Sequence, residues 1–154
     1  MEEKAQSGAV FRLLIDSIIG IAILMIVLGA MANFYDMRLK TSAEEFKSLV
    51  KNAVDSPNGA VVESGALVFN EGGGFSQATL SSTTGIDASC FTFQSELSRV
   101  DVGGGIYLKF SGNVETKVYA RCIPEENSRA CEAGEEGCCN IKCFISLGKR
   151  FTQD

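Results

Sequence analysis

The sequence contains no histidine, no tryptophan and only two prolines among its 154 residues. The absence of histidine excludes Ser-His-Asp and Cys-His catalytic arrangements and every histidine-ligated metal site. Basic residues are the minority, with 14 Lys and Arg against 19 Asp and Glu, which argues against a nucleic-acid partner held through its phosphates. The scarcity of proline and the 45% hydrophobic content argue against a disordered chain. The length allows one domain, or one small domain with an appendage.

Charge is also missing from a long stretch near the N-terminus. Residues 17–34 carry none, and extension back to Gly8 adds only Arg12 and Asp16. As a helix, residues 8–34 would be about 40 Å long, and about 20 apolar residues suffice to cross a bilayer. A secretory signal peptide has a shorter apolar core of about 7–15 residues. The roughly 100 residues that remain are too few to wrap a helix that is apolar on every side. We therefore predict a membrane-spanning helix.

Two charges and several small residues within this stretch bear on helix association. Arg12 and Asp16 are four residues apart, so they share one helix face. They either snorkel as a pair at the membrane surface or find partners on neighbouring helices. Gly20 and Gly29 allow close approach of neighbouring helices, although glycine is common in membrane helices generally.

The helical pattern continues beyond the apolar stretch. Apolar residues recur at helical spacing on one face, whereas charged residues occupy the other. Turn-forming residues at 55–59 predict the end of the helix near Val54. This second half is amphipathic and needs a surface to pack against. Its apolar face comprises Leu39, Ala43, Phe46, Val50, Ala53 and Val54.

Residues 56–154 have a different composition, in which glycine clusters and Ser/Thr runs separate short apolar stretches. Partial alternation of polar and apolar residues, with turn residues at 111–113, predicts a hairpin between strands 105–110 and 115–121. The predicted fold class is α+β: a long N-terminal helix followed by a small, disulfide-rich, mostly antiparallel β domain of four or five strands. The candidate strands are 66–69, 89–93, 105–110, 115–121 and 141–147.

All cysteines lie in this C-terminal part: Cys90, Cys122, Cys131, Cys138, Cys139 and Cys143. Beyond a membrane span, six thiols predict three disulfides, which can be paired in 15 ways. A bond between the adjacent Cys138 and Cys139 would be strained, so we expect each to bond a different partner and to hold the acidic loop 124–137. Zinc is the competing interpretation, but no Cys-x2-Cys pair is present, and the acidic loop lacks EF-hand spacing. No metal and no cofactor is predicted.

The residues ahead of the apolar stretch carry a family resemblance. A short charged leader, a Lys-Ala pair and a long apolar helix, with the globular part downstream, resemble a type IV pilin precursor, especially the archaeal pilins with a class III signal peptide. In that family a prepilin peptidase cuts before the apolar segment, after Gly or Ala, with Gln commonly next. Val10 stands where bacterial pilins place glutamate, which favours the archaeal form. The matching residues are Lys4, Ala5, Gln6 and Ser7, and cleavage after Ala5 would leave a mature chain beginning at Gln6.

The resemblance implies a leader (1–5), a long helix that forms the membrane anchor and then the filament core (6–55), and an extracellular β-rich head (56–154). It also implies a non-enzymatic structural subunit of a cell-surface filament with a role in adhesion. The implied partners are copies of itself, the prepilin peptidase, the membrane assembly machinery and, before assembly, the membrane. Arg12 and Asp16 would partly replace the missing glutamate in the filament core.

Two other classes of protein fit part of the sequence. A single-pass, membrane-anchored extracellular recognition domain would keep residues 1–5 and would not polymerise. An enzyme without histidine would need a carboxylate pair or a Ser/Lys site. The available carboxylates have no pattern in their spacing, and they are Asp87, Glu96, Asp101 and Glu115.

Overall fold

The computed structural model of the chain describes residues 3–125 and 139–151, with side chains from Phe11 onward. Its architecture is the α+β class that the sequence predicts. The helices are α1 (Glu3–Asp55), α2 (Gln77–Thr84) and a short 3-10 helix (Ala88–Cys90). The strands are β1 (Val61–Phe69), β2 (Gly74–Ser76), β3 (Phe91–Ser95), β4 (Val100–Val102), β5 (Tyr107–Phe110), β6 (Val114–Pro124) and β7 (Ile141–Leu147).

The chain divides into two compact units, and the division falls inside α1. The N-terminal unit extends to Arg38, and the C-terminal unit begins at Leu39. Helix α1 ends at Asp55, where the sequence predicts its end. The Asn58 side chain accepts a hydrogen bond from the Ala60 backbone, and Gly59 adopts a positive φ of 78° that favours glycine. These turn residues redirect the chain from α1 into β1.

The described residues of the C-terminal unit form two sheets. The main sheet has the order β1-β6-β7-β3 and the second sheet has the order β2-β5-β4. Within the described residues four of the five strand pairings are antiparallel, and β3 runs parallel to β7. The antiparallel character that the sequence predicts is therefore confirmed, although the strands are more numerous than expected and are split between two sheets.

The predicted hairpin between β5 and β6 is wrong. Strand β5 pairs with β2 on one edge and with β4 on the other. Strand β6 likewise pairs with β1 and β7, so neither strand has a free edge for the other. The turn at residues 111–113 carries the chain from the second sheet to the main sheet.

The amphipathic half of α1 packs into the core of the C-terminal unit, as its apolar periodicity predicts. Phe46, Val50, Ala53 and Val54 are buried, and Leu49, which the predicted face omitted, is buried with them. Leu39 and Ala43 are half-buried. The rest of the cluster comes from the inward-facing residues of both sheets together with Leu80 of α2.

Four phenylalanines join α1 and the two sheets. The Phe46 ring of α1 lies 4.1 Å from that of Phe75 in β2, measured between ring centroids. The Phe69 ring of β1 stacks on that of Phe110 in β5 at a centroid distance of 4.6 Å. Aromatic pairs at these separations add to the stabilisation from burial, and here they fix the two sheets and the helix to one another.

Candidate functional site

The first candidate site is the uncovered apolar surface of α1. Among the described residues this helix alone has the length and composition to cross a membrane, with a mean hydropathy of 2.6 in its most apolar window. That window is not buried at all within the chain, and the large apolar side chains from Phe11 to Met37 are 40–72% exposed. An apolar surface of this extent marks a membrane or protein contact. The helix therefore fits the role of a membrane anchor.

The glycines that sequence reasoning singled out lie open on this surface. A Cβ atom added at Gly20 or at Gly29 would meet no other atom within 4 Å in the chain. An α-helix turns by about 100° per residue, so these two glycines lie on opposite sides of α1. Arg12, Asp16 and Gly20 lie within about 80° of one another by the same geometry. Neighbouring helices can therefore approach α1 closely on two sides.

Of the polar side chains described on this surface, some have a hydrogen-bond partner within α1, whereas others do not. The Ser17 hydroxyl donates to the Leu13 carbonyl at 2.8 Å, which satisfies it within α1. Arg12 and Asp16 are both exposed, and in the described part of the chain no ion pair joins them. The leader-processing residues Lys4, Ala5, Gln6 and Ser7 lie in the helical backbone of α1, and their side chains are outside the described part.

The disulfide framework converges on β7. Cys122 of β6 bonds Cys143, which lies directly opposite in β7, and Cys90 bonds Cys139 just ahead of β7. Cys139 is therefore bonded to a partner other than its neighbour Cys138, as expected. Cys131, Cys138 and most of the acidic loop lie outside the described residues.

The carboxylates considered for an enzyme stand on separate elements. Asp87 precedes the 3-10 helix and accepts hydrogen bonds from the Ser89 hydroxyl and backbone amide, at 2.6 and 2.9 Å. These two bonds, the hydroxyl first, lower the pKa of Asp87. Glu96 pairs with Lys149 after β3, whereas Asp101 lies in β4 and Glu115 in β6. Over residues 3–125 and 139–151 no cluster of three metal-ligating side chains occurs.

Sequence reasoning missed an open groove on the outer face of the main sheet, with a volume of about 440 Å³. The sequence signal for the groove is the alternation of side chains along β6. Ala120 and Cys122 are buried, whereas Arg121 and Ile123 face the opposite side of the sheet, where the groove lies. Its lining residues are Gln94, Ser95, Glu96, Arg121, Ile123, Phe144, Ser146, Lys149, Arg150 and Phe151.

No protein-family model matches the chain, and no curated protein or solved structure is significantly similar to it. Its function is therefore inferred from its own residues and geometry.

Proposed function

We propose that the chain is a structural subunit of an extracellular, archaeal type IV pilus-like filament that polymerises through its N-terminal apolar helix and serves in adhesion. The observation that supports this most is the contrast between the two halves of α1. The half up to Met37 presents large apolar side chains to its surroundings, whereas Phe46, Val50 and Ala53 of the other half are buried in a disulfide-bonded unit.

This contrast favours a helix whose apolar half moves from a lipid environment to a protein environment. Lipid covers the apolar half while the subunit waits in the membrane. Outside the membrane the same surface must be covered by protein, and copies of the same helix supply it. A repeated contact between different faces of identical subunits, if it does not close into a ring, produces a helical filament. The open surface at Gly20 and Gly29, on opposite sides of α1, suits such a two-sided contact.

Arg12 and Asp16 are proposed to make the polar contact between helices in the filament core. Both are exposed in the single chain. Inside a helix bundle a charge is tolerated only when it is paired. Each residue would therefore meet its opposite charge on a neighbouring subunit and fix the register between them.

The first test is the intact mass of native protein sheared from the cell surface, with and without reduction. We expect a chain that begins at Gln6, recovered as a polymer without detergent, with all six thiols oxidised. A chain that retains Met1–Ala5 and is found only in detergent-extracted membranes would instead indicate a membrane-anchored recognition domain that does not polymerise.

The second test addresses the Arg12 and Asp16 contact. Asp16→Ala should be processed normally but should yield fewer filaments, because it leaves the guanidinium of Arg12 without a partner inside the bundle. The double variant Arg12→Ala/Asp16→Ala should assemble better than either single variant. Asp36→Ala removes the same charge outside the uncharged stretch and serves as the control. Wild-type filament yields from Asp16→Ala would contradict the proposed role of the pair.

A further inference from the structure

We propose that the groove on the outer face of the main sheet binds an acidic glycan, with Arg121 and Arg150 holding the carboxylate of a uronic-acid unit. This inference does not rest on filament formation, because the groove lies wholly in the C-terminal unit. It assigns a class of ligand to a surface that the proposed filament contacts do not involve.

The strand alternation of the main sheet creates the groove. Cys122 and Ile145 point into the core and are at most 1% exposed, whereas Arg121 and Phe144 are half-buried on the opposite face. Arg121 and Phe144 lie directly opposite each other in the pairing of β6 with β7. The end of β3 and residues 149–151 line the rest of the groove.

The groove has an excess of positive charge on an acidic chain. Among the described residues its lining includes Arg121, Lys149 and Arg150 but only one carboxylate, Glu96, which is bound by Lys149. In the described part of the chain the two guanidinium groups have no carboxylate partner. The chain as a whole has a formal net charge of −5, so this concentration of cations is local. Unpaired guanidinium groups in a groove select an anionic ligand.

One buried polar atom at the groove has no hydrogen-bond partner within the described residues. This atom is the Nε of Arg121. Ser146, which is only 5% exposed, also lines the groove. Buried polar groups are nearly always hydrogen-bonded, so such an exception calls for a missing partner. A bound polyhydroxylated anion would supply one.

The side chains favour a sugar acid over other anions. Guanidinium groups bind carboxylates through two parallel hydrogen bonds. The Gln94 amide and the Ser95 and Ser146 hydroxyls can hydrogen-bond sugar hydroxyls. The half-buried rings of Phe144 and Phe151 give the groove an apolar floor suited to the C–H face of a sugar ring. The volume of about 440 Å³ lies within the range of small-molecule sites.

The position of the groove on the sheet argues against an acidic peptide. Extended peptides gain affinity by adding a strand to a free sheet edge. The groove lies mainly over β6 and β7, whose edges are filled by β1, by each other and by β3, and it reaches the edge strand β3 only at its last two residues, Gln94 and Ser95. A ligand over β6 and β7 must be recognised by side chains, which suits a compact, hydroxylated molecule.

The test uses the full chain in non-ionic detergent and isothermal titration calorimetry with three probes of equal length: tetragalacturonate, neutral maltotetraose and tetraglutamate. We expect tetragalacturonate alone to bind measurably at moderate salt, and to bind more weakly as salt rises. Equal or tighter binding of tetraglutamate would overturn the glycan assignment in favour of an acidic peptide. Absence of binding by tetragalacturonate would overturn the site itself.

Matched variants locate the binding. Arg121→Gln and Arg150→Gln should each weaken tetragalacturonate binding by about tenfold or more. Arg121→Lys should also weaken it, because a lysine keeps the charge but loses the planar fork. Arg99→Gln removes the same charge from an exposed site before β4 and should leave binding unchanged. Arg150 is exposed, so its variant decides the outcome even if Arg121→Gln fails to fold. Equal losses in Arg99→Gln and Arg150→Gln would contradict the site.

Discussion

At the scale of single residues, two buried serines replace backbone hydrogen-bond partners that the sheet does not provide. The register of β1 against β6 shifts between Glu63 and Ala66. At this bulge the Ser64 hydroxyl accepts from the Val118 amide at 2.9 Å and donates to the Gly65 carbonyl at 2.8 Å. At the free edge of β1, the Ser42 hydroxyl of α1 accepts from the Val68 amide at 3.0 Å. Neither serine belongs to an apolar pattern, so sequence periodicity could not assign these roles.

Ser64→Ala should lower the free energy of unfolding by about 1–3 kcal/mol, because the buried Val118 amide then has no acceptor. The control is Ser82→Ala, since Ser82 is exposed on α2 and its loss should change stability by no more than about 0.5 kcal/mol. Thermal unfolding followed by near-ultraviolet circular dichroism measures both. Equal stability of the two variants would show that the bulge does not need the hydroxyl.

Asp87 provides a prediction on pH. Because hydrogen bonds from Ser89 lower the pKa of Asp87 on folding, they stabilise the fold above the ordinary carboxyl pKa. That contribution is lost as the pH falls through the lowered pKa. Ser89→Ala should raise the pKa of Asp87 toward its ordinary value in a carbon-13 NMR titration, whereas Ser82→Ala should not move it. An unchanged midpoint in Ser89→Ala would assign the lowered pKa to another cause.

At the scale of elements, long periodic segments were predictable and short ones were not. Helix α1 and strand β7 follow directly from apolar spacing, and β7 spans the predicted residues 141–147. Strands β2 and β4 have three residues each, too few for a periodic pattern to emerge. Helix α2 buries only Leu80 and consists largely of Ser and Thr, so its caps at Ser76 and Gly85 define it instead.

Strand partners were harder to predict than strands. Alternation indicates which residues face the core but not which strand lies alongside. The 111–113 turn therefore suggested a hairpin although it joins two sheets. The same limitation applies to the groove, because Arg121, Phe144 and Gln94 come from three strands whose adjacency only the fold reveals.

The pairing of β2 with β5 depends on a glycine. A Cβ atom at Gly74 would overlap the Leu108 carbonyl oxygen of the partner strand. Gly74→Ala should therefore lower the free energy of unfolding by about 1–3 kcal/mol. Gly65→Ala is the matched control, since its Cβ would lie 3.7 Å from Glu45 Oε1 at an ordinary contact distance. We expect the control to be neutral or to stabilise by about 0.4–1 kcal/mol. Similar losses in both variants would refute the steric cause.

At the scale of the whole molecule, the two units differ in how their apolar side chains are covered. The core cluster of the C-terminal unit begins at Phe46 and draws on α1, both sheets and α2. The two disulfides of the described residues add to it by restricting the unfolded chain, at about 2–4 kcal/mol each. The N-terminal unit has no comparable core within its described side chains, since its large apolar residues are exposed. Dependence on lipid or on other chains should therefore reside in residues before Leu39.

This division predicts the behaviour of two fragments produced in an oxidising compartment. Residues 39–154 should be soluble without detergent and should unfold cooperatively, because they retain Phe46, Val50 and Ala53 and omit the exposed apolar surface of α1. Residues 56–154 retain the two disulfides of the described residues but lose those three buried side chains, and deletion of one large core side chain alone removes about 2–5 kcal/mol. Because a domain's total stability is about 5–15 kcal/mol, the shorter fragment should unfold or aggregate.

Analytical ultracentrifugation and thermal unfolding compare the two fragments. Cooperative unfolding of both fragments at the same midpoint would show that the amphipathic half of α1 is dispensable for the β-rich part.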